Sequence, residues 1–62
     1  MKLEVGLCYA VLRSDKTVVQ FRFTGSKDGQ FLAEVPPGSG KLVDLYSILD
    51  KGHLAYWEIP CP

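Results

Sequence analysis

His53 is the only histidine in this sequence and the residue best suited to proton transfer. A catalytic histidine needs a second group that orients it and a nucleophile within reach. Asp50 lies three residues before it, and Ser47 and Cys8 carry nucleophilic atoms, but no spacing links them into a catalytic set. We therefore predict a non-catalytic protein. The alternative is an enzyme whose active site forms between subunits and uses His53, Tyr46 and Asp50.

A second candidate for chemistry is the string Pro36-Pro37-Gly38-Ser39-Gly40-Lys41. It resembles the phosphate-binding loop of ATPases, in which backbone amides and a lysine hold phosphate groups. Val35 stands where the first glycine of that motif belongs, and Leu42 stands where the magnesium-binding hydroxyl belongs. A chain of 62 residues is also too short for the parallel sheet around such a loop. The string therefore predicts a loop that ends a strand, because proline cannot donate to a ladder.

The two cysteines are Cys8, inside a predicted strand, and Cys61, in the tail formed by residues 60–62. Two cysteines and one histidine are too few for a four-ligand zinc site within one chain. We predict no metal and no other cofactor. Because disulfides are rare in cytosolic proteins, we expect two free thiols. The alternative is a disulfide that joins the tail to the first strand.

The charge of the chain is balanced, with seven Lys and Arg against seven Asp and Glu. The signs alternate along the sequence, which argues against a dedicated non-specific nucleic-acid binder with a basic face. A small nucleic-acid-binding regulator is the second interpretation. Its contact residues would be Lys16, Arg22, Lys27 and Tyr56. Phe21 and Phe23 share one face of a predicted strand, so we expect them in the core and not on a base-stacking surface.

Hydrophobic residues recur at every second position in three stretches before residue 36, which is the pattern of strands with one apolar face. These residues are Leu3, Val5, Leu7, Tyr9 and Val11, then Val19, Phe21 and Phe23, then Phe31, Ala33 and Val35. Polar residues 13–16 separate the first two stretches. Asp28-Gly29 predicts a tight hairpin between the second and third, because such turns need positive φ angles. The three stretches predict a meander.

After the proline-glycine loop the hydrophobic period changes. Leu42, Leu45, Tyr46 and Leu49 fall at i, i+3, i+4 and i+7, the spacing of one helix face. We predict a short helix over about 42–50, with a strand over the same residues as the alternative. Alternation then returns and predicts a last strand that Pro60 ends. Its two sets of residues are Ala55, Trp57 and Ile59, and Leu54, Tyr56 and Glu58.

The predicted order is β-β-β-α-β, a mainly β (α+β) fold in a single domain over residues 1–62. With so short a helix, we expect the sheet to curl as a small antiparallel meander or SH3-like roll, a small open β-barrel. A chain of this size has little stability to spare, since the entropy lost on folding nearly matches the gain from burial. Its length therefore favours a partner or a covalent link.

The alternation also leaves apolar side chains on the face opposite the predicted core. These residues are Leu12, Val18, Leu32, Leu54 and Tyr56. Contiguous apolar surface on a small protein marks an interface, so we predict that they contact another molecule. The alternative is that a curled sheet or the helix covers them. We predict a homodimer or small homo-oligomer, or else another protein as partner, acting through this face or a strand edge.

The apolar stretch over residues 5–12 is the candidate for a targeting segment. Leu7 occupies the position before Cys8 where a lipoprotein signal requires a small residue, and Glu4 lies where positive charge is needed. The stretch is also too short to span a bilayer. We expect a cytoplasmic protein with no membrane partner.

Overall fold

Five antiparallel strands form one sheet in the computed structural model, which describes residues 2–62. Met1, which the predicted domain includes, lies outside the described residues. The elements are β1 (Cys8–Leu12), β2 (Val18–Lys27), β3 (Gln30–Glu34), β4 (Leu42–Asp44), α1 (Leu45–Ile48) and β5 (Ala55–Ile59). Their order in the sheet is β4-β3-β2-β1-β5. The predicted mainly β meander with one short helix is confirmed.

The sheet has two edges, β4 and β5, and does not close as a barrel. The expectation of a small β-barrel is wrong in this respect. Residues 45–54 connect one edge to the other, and β4 is only three residues long, which leaves little backbone for closure. The sheet therefore keeps a free strand at each side among the described residues.

The helix predicted over 42–50 is shorter in the structure. Residues Leu42–Asp44 pair with β3 instead, in the register Leu32↔Asp44, Ala33↔Val43 and Glu34↔Leu42. The observed order is thus β-β-β-β-α-β, with only Leu45–Ile48 helical. The physical reason is that β3 offers an unpaired edge, and ladder hydrogen bonds satisfy the backbone of 42–44 before a helical turn begins.

The first strand also begins later than predicted, at Cys8. Gly6, at φ +89°, turns the preceding chain, and its amide donates to the Phe23 carbonyl at 2.8 Å. Leu3 and Leu7 nevertheless pack against the core. Leu3 and Leu7 therefore reach the core from a turn and not from a strand, whereas Val5, between them, is exposed.

The β2–β3 hairpin has the turn that the sequence predicts. Asp28 and Gly29 both have positive φ, at +53° and +81°. An irregularity in the pairing lies between Phe23 and Gly25, where the register shifts. β2 extends over ten residues to Lys27, beyond the segment in which Val19, Phe21 and Phe23 alternate with polar residues.

The core lies on one face of this sheet. It consists of Tyr9, Val11, Phe21, Phe23, Ala33 and Leu45. Phe21 and Val11 are completely buried, and the Tyr9 and Phe21 rings stack with their centroids 5.8 Å apart. Phe21 and Phe23 are core residues, as predicted. Residues 3–7 and the segment around α1 pack against the same face, so the other face of the sheet faces outward.

Candidate interaction surface

The outward face of the sheet has an apolar surface over β2, β1 and β5. Directly paired residues in antiparallel strands share a face, so the pairing defines three rows across these strands. The rows are Val18, Leu12 and Ala55; Gln20, Ala10 and Trp57; and Arg22, Cys8 and Ile59. We call Leu12, Val18, Ala55, Trp57 and Ile59 the apolar strip. Trp57 is 44% exposed and Val18 is 52% exposed, so part of the apolar strip contacts water.

The five predicted interface residues do not all lie on this face. Leu12 and Val18 belong to the apolar strip, and Leu32, opposite Asp44, lies on the same face over β3. Leu54 is exposed just before β5. Tyr56 lies on the core face, because it pairs with the buried Val11. Its hydroxyl accepts a hydrogen bond from the Lys2 amide at 3.2 Å.

The predicted outward orientation of Tyr56 in β5 is therefore wrong. The sequence predicts Tyr56 on the outward face, whereas the register Ala10↔Trp57 and Val11↔Tyr56 places Trp57 outward and Tyr56 on the core face. Ala55, Trp57 and Ile59 are the more apolar set in β5, yet they face outward, because the register with β1 and not the alternation determines the face. The interface role of the five residues stays a prediction.

β5 has a free backbone edge. In antiparallel pairs, the N–H and C=O of one residue point to the same side, and this side alternates along the strand. Arg13 N donates to Thr17 O and Phe23 N to Leu7 O, so odd-numbered residues of β1 bond towards β2. Even-numbered residues bond towards β5, and the Leu12 carbonyl accepts from Leu54 N at 2.7 Å.

The same alternation then applies to β5. Ala55, Trp57 and Ile59 are opposite Leu12, Ala10 and Cys8, so their backbone groups point to β1. The backbone N–H and C=O groups of Tyr56 and Glu58 point away from the sheet. Both residues are exposed, and no other described strand pairs with this side of β5. β5 thus offers two backbone N–H donors and two backbone C=O acceptors at an edge that carries exposed apolar side chains.

A disulfide between Cys8 and Cys61 holds the end of β5 against β1. The expectation of two free thiols is therefore wrong in this structure. Cys8 pairs across the sheet with Ile59, only two residues before Cys61, and this register brings the two Cα atoms within 5.2 Å. Strand pairing, which the sequence alone did not define, places the two thiols together.

The proline-glycine loop folds around a carboxylate of its own chain. Gly38 N donates to Glu34 Oε1 at 2.6 Å, and Gly40 N donates to Oε2 at 3.0 Å. The Arg22 Nε–H donates to Oε1 at 3.1 Å. The Gly38 amide and the Arg22 side chain lower the pKa of Glu34, although burial opposes them. These amides bind Glu34, so the loop is structural, as predicted.

The three basic residues proposed for nucleic acid are not brought together. Lys16 lies in the turn between β1 and β2, and Lys27 lies at the opposite end of β2. Arg22, between them, forms an ion pair with Glu34. These three side chains do not form a continuous positively charged surface on the described residues, and nucleic-acid binding stays a prediction.

A groove on the core side is the second candidate site. Its lining combines Leu3, Phe23, Phe31, Leu45, Tyr46 and Leu49 with the polar residues Asp50, Lys51 and His53. It therefore brings together Tyr46, Asp50 and His53, the residues of the alternative enzyme site. The Ser14 hydroxyl donates to Asp50 Oδ2 at 2.6 Å, and this bond lowers the pKa of Asp50. Oδ2 of Asp50 thus already accepts a hydrogen bond from Ser14.

No protein-family model matches this chain, and no curated protein or solved structure matches it either. Within residues 2–62, no three His, Cys, Asp or Glu side chains are placed to hold a metal ion. In the same part of the chain, no helix is both long and apolar enough to cross a membrane.

Proposed function

We propose that this chain is a non-catalytic assembly module that forms a homodimer by pairing β5 with β5 of a second copy. The observation on which this rests is the free edge of β5, with exposed apolar side chains and outward backbone groups at Tyr56 and Glu58. Exposed apolar edges of this kind are sites of strand addition. A second copy also adds buried surface to a chain whose own core is small.

The edge of β5 is self-complementary. A two-fold axis at Trp57 places Tyr56 of each copy opposite Glu58 of the other, where the two residues exchange both backbone hydrogen bonds. Four hydrogen bonds then join the copies. The two Trp57 residues form the non-hydrogen-bonded pair at the axis, in which side chains approach most closely. Their indoles lie on the outward face, so the apolar strips of the two copies become continuous.

A proline at position 58 tests this pairing. The Glu58 N–H points away from β1, so Glu58→Pro removes one donor from each copy, and thus two of the four hydrogen bonds, and leaves the β1–β5 ladder in place. We expect sedimentation equilibrium to give twice the chain mass of 6.9 kDa for the native protein at high micromolar concentration. Glu58→Pro should give the monomer mass with an unchanged circular dichroism spectrum. A native protein that stays monomeric at that concentration would falsify the proposal.

A pair of charge substitutions tests the role of the apolar strip. Trp57 and Gln20 lie in the same row on the outward face, but only Trp57 is on the edge strand. We expect Trp57→Glu to weaken dimerisation by at least tenfold, because two like charges meet at the axis. Gln20→Glu should leave the dissociation constant within about twofold. Equal effects of the two substitutions would contradict edge pairing.

The compartment of the protein is a separate prediction. The sequence predicts the cytoplasm, whereas the disulfide favours an oxidising compartment, because cytosolic thiols are kept reduced. Alkylation of thiols in acid-quenched cells, followed by mass measurement, distinguishes the two. Two alkylated cysteines support the cytoplasm, and none supports an oxidising compartment.

A further inference from the structure

The groove on the core side has an aromatic wall and an apolar floor. Phe23 and Leu45 at its floor are almost fully buried, whereas Phe31 and Tyr46 are 42% and 63% exposed. The rings form a series, with centroids 6.3 Å apart from Phe23 to Phe31 and 6.2 Å apart from Phe31 to Tyr46. The helical turn of four residues is too short to cover this part of the core, so the aromatic wall contacts water.

The polar residues of the groove come from one segment, residues 50–53, and its acidic and basic members differ in their partners. Lys51 and His53 line the groove and are exposed. The carboxylate of Asp50 accepts hydrogen bonds from the Ser14 amide and hydroxyl, and lies 4.0 Å from Arg13 Nε. Arg13 and Ser14 thus engage the Asp50 carboxylate from outside the groove lining, whereas Lys51 forms no ion pair within residues 2–62. The remaining lining residues carry no charge.

We propose that this groove binds a small amphipathic carboxylate, with its apolar body along Phe31 and Tyr46 and its acid group at Lys51 and His53. The groove volume of 710 Å³ lies within the range of about 300–1,000 Å³ typical of small-molecule sites. An apolar surface with a few polar groups at one place is the usual composition of such sites. A carboxylate complements the ammonium group of Lys51, which forms no ion pair within residues 2–62 and can bind it by charge-assisted hydrogen bonds.

Three probes with the same apolar chain test this inference, namely octanoate, 1-octanol and octylammonium. We expect NMR titration to show that octanoate binds at least fivefold more tightly than 1-octanol, and that octylammonium binds most weakly. The shifted amide signals should belong to Phe31, Tyr46, Lys51 and His53. Equal affinities for octanoate and 1-octanol, or shifts confined to other residues, would overturn the proposal.

Two substitutions separate the charged part of the site from the apolar part. Lys51→Gln should weaken octanoate binding about tenfold and leave 1-octanol binding unchanged, because only the acid group loses a partner. Phe31→Ser should weaken binding of both probes. Lys41→Gln, which removes an exposed lysine outside the groove lining, is the matched control and should change neither affinity. An effect of Lys41→Gln equal to that of Lys51→Gln would show non-specific attraction and overturn the proposal.

This inference does not depend on the proposed dimer. The groove is lined from the core face by Leu3, β2, β3 and residues 45–53, and none of its lining residues belongs to β5. The titration is therefore repeated on Glu58→Pro. Octanoate binding by this monomeric variant should equal that of the native protein. Loss of binding in a folded Glu58→Pro variant would contradict the site as described.

Discussion

At the residue scale, Glu34 determines the conformation of the proline-glycine loop. It is only 6% exposed, and its carboxylate accepts hydrogen bonds from two loop amides and from Arg22. A buried carboxylate needs such donors because it has lost its hydration. The same glycine amides that resembled a phosphate site are thus occupied by an internal anion.

Replacing Glu34 by glutamine tests this role through its pH dependence. The Gly38 amide and the Arg22 side chain lower the pKa of Glu34 below its ordinary value of 4.5. A lowered pKa in the folded state adds stability above the unfolded pKa, and this stability is lost as the pH falls through the folded pKa. We expect Glu34→Gln to melt at a lower temperature than the native protein at pH 7.

The difference in melting temperature should shrink steadily below about pH 4, as the native carboxylate becomes protonated. Glu4→Gln is the control, since Glu4 is exposed and should give the native melting curve at each pH. Thermal denaturation followed by circular dichroism measures both variants. A stability difference for Glu34→Gln that is independent of pH would contradict an ionised Glu34 as the stabilising species.

At the element scale, Gly25 allows β2 to change register against β3. Its φ of +97° is a conformation that side-chain-bearing residues rarely adopt. A Cβ atom there would lie 3.3 Å from Cγ2 of Val5, which is itself 68% exposed and able to move. The backbone conformation, and not crowding, is therefore the reason for glycine at this position.

We expect Gly25→Ala to lower the free energy of unfolding by about 1–2 kcal/mol, the usual cost of one residue held in an unfavourable backbone region. Urea denaturation measures this change. The neighbouring Ser26→Ala, at an exposed position without a positive φ, should stay within about 0.5 kcal/mol of the native value. A neutral Gly25→Ala would show that the register shift tolerates a side chain.

At the scale of the whole molecule, the Cys8–Cys61 disulfide connects residues 53 positions apart. A link of this span restricts the unfolded chain, which by the loop-entropy estimate is worth about 4 kcal/mol. For a chain of this length the entire free energy of unfolding is about 3–9 kcal/mol. The disulfide therefore accounts for a large share of the stability, which the small core alone would not supply.

Reduction of the disulfide should lower the free energy of unfolding by that amount. Denaturation by guanidinium with and without a phosphine reductant measures the difference. Cys61→Ser, which leaves the buried Cys8 in place, should match the reduced native protein and be insensitive to reductant. Identical midpoints for the oxidised and reduced protein would rule out a stabilising disulfide.

The elements with local signals were predictable from the residues alone. Alternation of Val19, Phe21 and Phe23 defined the central strand and its core face, and Asp28-Gly29 defined the hairpin, because side-chain direction and turn geometry depend on adjacent residues. The departures of the glycine-rich string from a phosphate loop were also visible at single positions. These predictions needed no information about distant parts of the chain.

The features that depend on which strands pair were not predictable in this way. Leu42–Asp44 became a strand because β3 offered it an edge, and Trp57 faced outward because β5 paired with β1 in one particular register. The same pairing joined Cys8 to Cys61 and placed residues 50–53 beside the aromatic wall. Each is a contact between residues distant in sequence, which neither periodicity nor local propensity determines.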